Sequence, residues 1–460
     1  MYEFRPVTDR IWKMRERIRD RVIHCDAERA LIITEASKKY ENIVPIIKRP
    51  LMFQEIAKKI TTLVDDDEII VGSKGPYFFS SPAYPEWGRT SEWITSAVRR
   101  GEWTLREDGL YHNPDSEQVR MCISEEECQA LESIQDYWRG RTIGATADAW
   151  QPEGFDELVR LGVCDYGDRS GTGLIGLSAG HLVAGYPKIL KVGYKAIWQE
   201  ATDWINSHRG NLMGEDMDKY MFYKSAQIAA ESAMIFVKRY ADAVAAKAAE
   251  CKDPKRKAEL EFMADGLLNL SENPARNFWE ACQGVVMYQL LITLETLFPS
   301  PSLGRFDQYT WPYLKKDLEE GRLTMEQAQE IVDAFFLKIN CFYSAAPSKL
   351  VTITGAGNTY QHTTLGGVDP DTGEDATNPV TYMVLETIGR LKLHDPTISL
   401  RFNKNSPDKL WECAIATTRL VGGLPLYQND EVIIPTVMAE RGFDLHDARD
   451  YAIIGCQEIV

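Results

Sequence analysis

The sequence predicts an α/β protein built as one large unit, in which a parallel or mixed sheet, open or closed into a barrel, is covered by long helices. Three observations carry this reading. Residues 186–250 and 255–297 place apolar side chains three and four apart over long stretches. After residue 340, short apolar runs bounded by turns alternate with helical stretches at 376–393, 406–421 and 430–442. No repeat period and no low-complexity linker divides the 460 residues.

Taken in order, residues 5 to about 64 read as helical, with Ile11, Met14, Ile18 and Val22 spaced along one face. DDDEIIVGSKGP (65–76) follows as an acidic turn, a strand-like apolar burst and a glycine break. PYFFSSPAYPEW (76–87) reads as an ordered loop, because its aromatic groups need burial while its prolines forbid a helix interior. The segment KSAQIAAESAMIFVKRYADAVAAKAAE is rich in alanine, the strongest helix former. CKDPKRK (251–257) makes a polar turn, and in SENPARNFWEACQGVV Ser271 or Asn273 is the expected cap with Pro274 in the first turn. The expected late strands lie in KLVTITGAGN (349–358), PTISLRFNKN (396–405) and DYAIIGCQEI (450–459).

Composition narrows the function. With 68 acidic against 52 basic side chains the formal charge is -16, which repels phosphate backbones and anionic bilayers, so neither nucleic acid nor membrane is an expected partner. The first residues lack the apolar core of a secretory signal, and the longest apolar stretch, VVMYQLLITLETLF, is interrupted by Gln289 and Glu295, so a cytoplasmic protein is expected. Nine cysteines are scattered with no CxxC pair, which argues against a disulfide framework and against a structural metal.

Cys456 stands apart because of its neighbours in YAIIGCQEIV (451–460). In an extended segment residues i and i+2 share a face, so Cys456 and Glu458 point together, enclosed at a strand end, while Gly455 admits a second backbone. A nucleophilic thiolate is disfavoured beside a carboxylate, and a metal site would need further ligands nearby. Hydrogen-atom chemistry suits the pair: a neutral thiol becomes a thiyl radical, and the carboxylate takes a proton from the substrate once the radical has made it acidic. On spacing alone, a buried cysteine beside a surface glutamate is the commoner arrangement.

GCQE after an apolar strand resembles the Gly-Cys-x-Glu loop of the glycyl radical enzymes, the group of pyruvate formate-lyase, glycerol dehydratase, choline trimethylamine-lyase and hydroxyproline dehydratase. Further marks fall in the family's order: DDEIIVG (66–72), GHLVAGYPKILKVG (180–193), LGRFDQYTWPY (303–313), LGGVDPDTG (365–373) and LPLYQNDEVI (424–433). The resemblance implies a ten-stranded α/β barrel, two antiparallel half-barrels of five parallel strands with helices outside and the cysteine loop inside, incomplete in this chain. It implies no bound cofactor; a glycyl radical, on a glycine not in this chain, is installed by a radical S-adenosylmethionine activating enzyme. The expected partners are that enzyme, a small-molecule substrate and a second copy in a homodimer. The domain organisation it implies is residues 1–460 as the N-terminal portion, helix-rich over 1–340 and strand–helix alternating over 341–460. The C-terminal glycyl radical domain is absent, and this portion is expected to be inactive by itself.

Within the family, Gly455 stands where acyl-transferring members carry a second cysteine, and Glu458 is missing from members that add hydrocarbons to fumarate. Eliminases that break C–O, C–N or C–S bonds on a small hydroxylated substrate remain, with arylacetate decarboxylases as the alternative. A non-catalytic binding or accessory domain is the reading from outside the class. His181 matches the position where resembling dehydratases hold a histidine against the departing hydroxyl, as a proton donor near neutral pH. Ser300 and Ser302 precede the RFDQ turn, where family members place a serine or aspartate toward the substrate. Arg305 and Asp307 read as structural partners of each other or of backbone. The expected site is therefore Cys456, Glu458 and His181 for catalysis and His181, Ser300 and Ser302 for substrate, with no metal.

Overall fold

The structure, a computed structural model, describes residues 2–87, 92–114, 119–149, 181–210, 212–295, 301–342, 361–393 and 395–460, with a few isolated positions between. The N-terminal stretch read as helical is three helices, Asp9–Arg19, Glu28–Lys39 and Pro45–Lys59, interrupted by strand β1 (Ile23–Asp26). The first helix starts where the Thr8 side chain accepts from the Ile11 amide, and it buries Ile11, Met14 and Ile18. Strand β1 lies second in a five-stranded sheet with β2 (Ser80–Pro82), β3 (Thr104–Leu105), β4 (Leu110–His112) and β5 (Met121–Ser124), ordered β2-β1-β5-β4-β3. This sheet is mixed: β1 runs parallel to β2 and β5, while β4 is antiparallel to both β3 and β5.

DDDEIIVG forms no strand among the described residues. Its backbone is paired instead with a side chain: the Gln283 amide accepts from the Val71 N–H at 2.9 Å and donates to the Val71 carbonyl at 2.9 Å. Glu68 beside it forms a buried ion pair with Lys338, which also donates to the Gly72 carbonyl at 2.9 Å.

Both long helical stretches are interrupted, the first also by a kink at Gly193. Tyr186–Ser207 and Glu215–Glu250 are separate helices, divided by a turn containing Gly210 and Gly214. Gly193, inside the first, has φ 76°, and a Cβ there would lie 2.5 Å from the carbonyl carbon of Asn273, so only glycine lets these chains cross. Pro254–Leu270 and Phe278–Glu295 are likewise distinct, and Asn277, rather than Ser271 or Asn273, caps the second by accepting from the Glu280 amide at 2.9 Å. Phe278–Glu295 is buried on nearly every side, the signature of a central core helix.

The second half carries a row of parallel strands. Strand β6 (Leu182–Val183) pairs with β7 (Pro301–Ser302), Gly304 bridges Thr363 in β8 (His362–Gly366), and β8 continues to β9 (Thr397–Phe402) and β10 (Leu426–Asn429). Bonds from the Leu303 N–H to the His362 carbonyl (2.7 Å) and from the Thr364 N–H to the Gly304 carbonyl (2.8 Å) join β7 to β8. The helices Pro379–Leu391 and Asp408–Val421 connect β8 to β9 and β9 to β10.

The closed ten-stranded barrel is corrected by this arrangement. The described strands form sheets of five, three, two and two, and none closes. The reason is local: the N-terminal sheet is mixed, β6 and β7 are two residues long, and the last extended segment folds back as an antiparallel hairpin, β11 (Ile453–Ile454) with β12 (Glu458–Ile459), instead of extending β10. The predicted strand at 349–358 lies outside the described residues. Among the described residues no helix is long and apolar enough to cross a membrane.

Candidate active site

The β11–β12 hairpin rests on β7 and β8 through backbone bonds to side chains. The Ile453 N–H donates to Thr364 Oγ1 (2.9 Å), the Gly455 N–H donates to Ser302 Oγ (3.4 Å), and His362 Nδ1 donates to the Gly455 carbonyl (3.1 Å). The chain entering the hairpin is clamped by two arginines. Arg401, fully buried, pairs with Asp430 and donates to the carbonyls of Arg449 and Tyr451, both at 2.8 Å. Arg305 pairs with Asp450 at 2.8 Å and donates to the Gly366 and Val368 carbonyls. Asp307 accepts from the Gly366 N–H at 2.8 Å and from Thr381 Oγ1 at 2.6 Å. Arg305 and Asp307 of the RFDQ turn thus both serve the backbone around the hairpin.

Gly455 has φ 51°, a left-handed conformation that turns the chain out of β11. Cys456 consequently sits in the turn and is exposed among the described residues, where strand alternation predicts an enclosed thiol. The close neighbours that require glycine are side chains and not a second backbone. A Cβ at 455 would lie 2.6 Å from Glu458 Oε2 and 2.9 Å from His181 Nδ1. His181 arrives from the residue before β6, with φ 58°, one of two non-glycine residues at positive φ among those described. Its Nδ1 is 3.4 Å from Glu458 Oε1. His181 and the Cys456–Glu458 pair, about 275 positions apart in sequence, therefore meet at one turn.

The electrostatics favour a neutral thiol beside an ionised carboxylate. Partial burial and the Glu458 charge both push the Cys456 thiol up. Burial pulls Glu458 upward, but backbone N–H groups of residues 456–458 and nearby His181 outweigh it, and its carboxyl lies below the usual range. Gln457 supplies one of these N–H bonds, at 3.1 Å.

His362, fully buried at the start of β8, is the residue that the sequence reading missed. A carbonyl only accepts, so Nδ1 carries the proton, and Nε2 then accepts from Ser399 Oγ at 2.8 Å. Burial drives its pKa down to about 4, against the Gly455 carbonyl bond and the Glu458 charge that favour protonation. Between the ordinary value of 6.5 and about 4 the unfolded chain binds this proton and the folded chain does not. The stabilisation is complete above pH 6.5 and is lost as pH falls toward 4, a change of about 3 kcal/mol. Urea denaturation at pH 7 and 4.5 is expected to show this acid loss in the unmodified chain and its reduction in His362→Asn.

The structure thus brings Cys456, Glu458 and His181 together. Ser302 is fully buried beneath them, accepting from the His362 N–H (3.2 Å) and the Gly455 N–H. Ser300 lies outside the described residues. Among the described residues, one trio has ligand atoms close enough for a common metal ion, the exposed Asp444, His446 and Asp447. Asp444 there caps the helix Leu445–Arg449 by accepting from the Asp447 amide. The thiol form of Cys456 fits the glycyl radical chemistry that the sequence marks imply, because hydrogen-atom transfer starts from S–H.

Comparison with known proteins agrees with these marks. The chain is 30% identical over 473 residues to the isethionate sulfite-lyase of Bilophila wadsworthia, covering 99% of this chain and 54% of that protein. The glycerol-bound B12-independent glycerol dehydratase of Clostridium butyricum superposes with a TM-score of 0.87 at 33% identity, over 99% of this chain and 55% of that one. A structure of the 1,2-propanediol-dehydrating protein of Roseburia inulinivorans matches with a TM-score of 0.88 at 28% identity, over 99% and 52%. The chain spans about half the length of the curated relatives it matches. The family model described as pyruvate formate lyase-like matches residues 6–460, and the chain belongs to that family.

Proposed function

We propose that this chain carries the thiol half of a glycyl radical eliminase acting on a small hydroxylated substrate. The observation that carries the reading is the convergence of His181 and Glu458, 3.4 Å apart, on the turn that presents Cys456. Relatives named as an isethionate sulfite-lyase and a glycerol dehydratase support elimination next to a hydroxyl-bearing carbon. A glycyl radical, installed by a radical S-adenosylmethionine activating enzyme, would supply the oxidising equivalent that removes the hydrogen atom from Cys456.

The roles of this chain's residues follow from their chemistry. Cys456 takes a hydrogen atom from the carbon bearing the hydroxyl, forming S–H and leaving a carbon radical. Glu458, ionised and adjacent, accepts the hydroxyl proton, and the electron density released onto that carbon expels the neighbouring group. His181 delivers a proton to the leaving atom, and the proton it gives and the one Glu458 takes are held on neighbouring atoms. Cys456 then returns its hydrogen atom to the carbon that lost the leaving group. Ser302 serves in this reading as the anchor of the Gly455 amide beneath the thiol. Such chemistry requires shielding from solvent, so the exposed turn must be covered during turnover.

Anaerobic activation of the complete gene product, followed by electron paramagnetic resonance, is expected to give a glycyl doublet. Turnover of diols, amino alcohols or hydroxysulfonates is then expected to yield an aldehyde or ketone. Glu458→Gln should retain the doublet and lower kcat by about 10² to 10⁴. No doublet under full activation overturns the radical reading. Carbon dioxide released from an arylacetate, without a carbonyl product, replaces elimination by decarboxylation.

A further inference from the structure

We propose that His362 is a positioning residue for Cys456, acting through the carbonyl of Gly455. The Gly455–Cys456 peptide is planar, so its C=O and the Cys456 N–H turn together. His362 Nδ1 holds that carbonyl at 3.1 Å, and Ser302 Oγ accepts from the Gly455 N–H on the other side of the same residue at 3.4 Å. Holding the N–H and the carbonyl of Gly455 fixes the two peptide planes that flank its left-handed Cα, and the second of these sets where the Cys456 sulfur is presented. An exposed turn with a left-handed glycine has no side-chain packing of its own to do this.

The imidazole is itself held in one tautomer. Ser399 Oγ donates to Nε2 at 2.8 Å, and Gln428 Nε2 donates to Ser399 Oγ at 3.4 Å. The register of β8, β9 and β10 pairs Thr364 with Ser399 and Ser399 with Leu426, so the relay runs across adjacent parallel strands to the hairpin. The other two backbone anchors of β11, Thr364 and Ser302, accept through their hydroxyl oxygens from the Ile453 and Gly455 N–H groups. Of these three side chains His362 is the donor, its direction fixed by Ser399 at the other ring nitrogen, and it meets the peptide that carries the reactive thiol.

This inference rests on the proposed function only for its link to turnover. Its test needs neither activation nor substrate. In the 460-residue chain labelled with ¹⁵N-histidine, the His362 resonances are expected to report the Nδ1–H tautomer at neutral pH. Iodoacetamide labelling, followed by mass spectrometry of the peptide containing Cys456, gives the rate at that thiol alone. His362→Ala is expected to change this rate by about fivefold or more, and His362→Asn, whose amide can reach the same carbonyl, to restore it within about twofold. An Nε2–H tautomer in the unmodified chain overturns the proposal without recourse to any variant. It is equally overturned if His362→Ala alkylates like the unmodified protein, or if folded His362→Asn behaves like His362→Ala, which would make the ring a packing group. Failure to observe a glycyl doublet would leave all these outcomes readable.

Discussion

Asp430→Ala is expected to destabilise the fold by about 3 to 5 kcal/mol, the largest effect of any single change around the site. Asp430 holds the Arg401 guanidinium bidentately at 2.9 and 3.0 Å, with both side chains essentially inaccessible. It also accepts from the Tyr451 hydroxyl at 2.7 Å, and the guanidinium lies 3.8 Å above the Tyr451 ring. Removing the carboxylate leaves a buried cation with no counter-charge, and the cation remains anchored to the Arg449 and Tyr451 carbonyls that lead into β11. Urea denaturation measures the loss. The double variant Arg401→Met with Asp430→Ala should recover part of it, because an empty polar pair is less costly than half of one. A loss below about 1 kcal/mol for Asp430→Ala would mean that water replaces the carboxylate and that the clamp is not what holds the hairpin.

Gly455→Ala is expected to be modest for folding and severe for activity. A left-handed φ costs a β-carbon about 1 to 2 kcal/mol. The larger consequence is steric, since the new methyl would overlap Glu458 Oε2 at 2.6 Å and the His181 ring at 2.9 Å. Both side chains are about half-exposed among the described residues, so they yield, and the groups that would trade protons with the substrate move apart. A displacement of this order in a reacting constellation costs about 10² in rate. The expected signature is a kcat loss of that size in the activated complete protein, with a urea midpoint shifted only slightly. Unchanged kcat would show that the placement of Glu458 and His181 around this turn is immaterial.

The part of this fold legible in the sequence was the part governed by local rules. Helices Asp408–Val421 and Asp430–Arg441 and strand Thr397–Phe402 fall within the stretches that periodicity marks. The N-terminal sheet was invisible because its strands are two to four residues long, too short for a period of two to register. DYAIIGCQEI reads as one strand because its apolar run is continuous, yet the left-handed Gly455 splits it into a hairpin. That single dihedral also moved Cys456 from an enclosed position to an exposed one.

The candidate site divides in the same way. Cys456, Glu458 and His181 were legible through motifs, but spacing could not show that His181 and Glu458 face each other, because that depends on β6 pairing with β7. His362 carried a faint signal, a titratable residue opening the buried strand that leads into LGGVDPDTG. Arg401 carried a stronger one: a cation inside the apolar run TISLRF needs a buried anion, and Asp430 supplies it.

The most direct measurement concerns the sulfur of residue 456. In the anaerobically activated complete gene product, Cys456→Ala should display an undiminished glycyl doublet together with no detectable product from any substrate the parent converts. Product formation by that variant, with the doublet present, would contradict the assignment of hydrogen-atom transfer to this thiol.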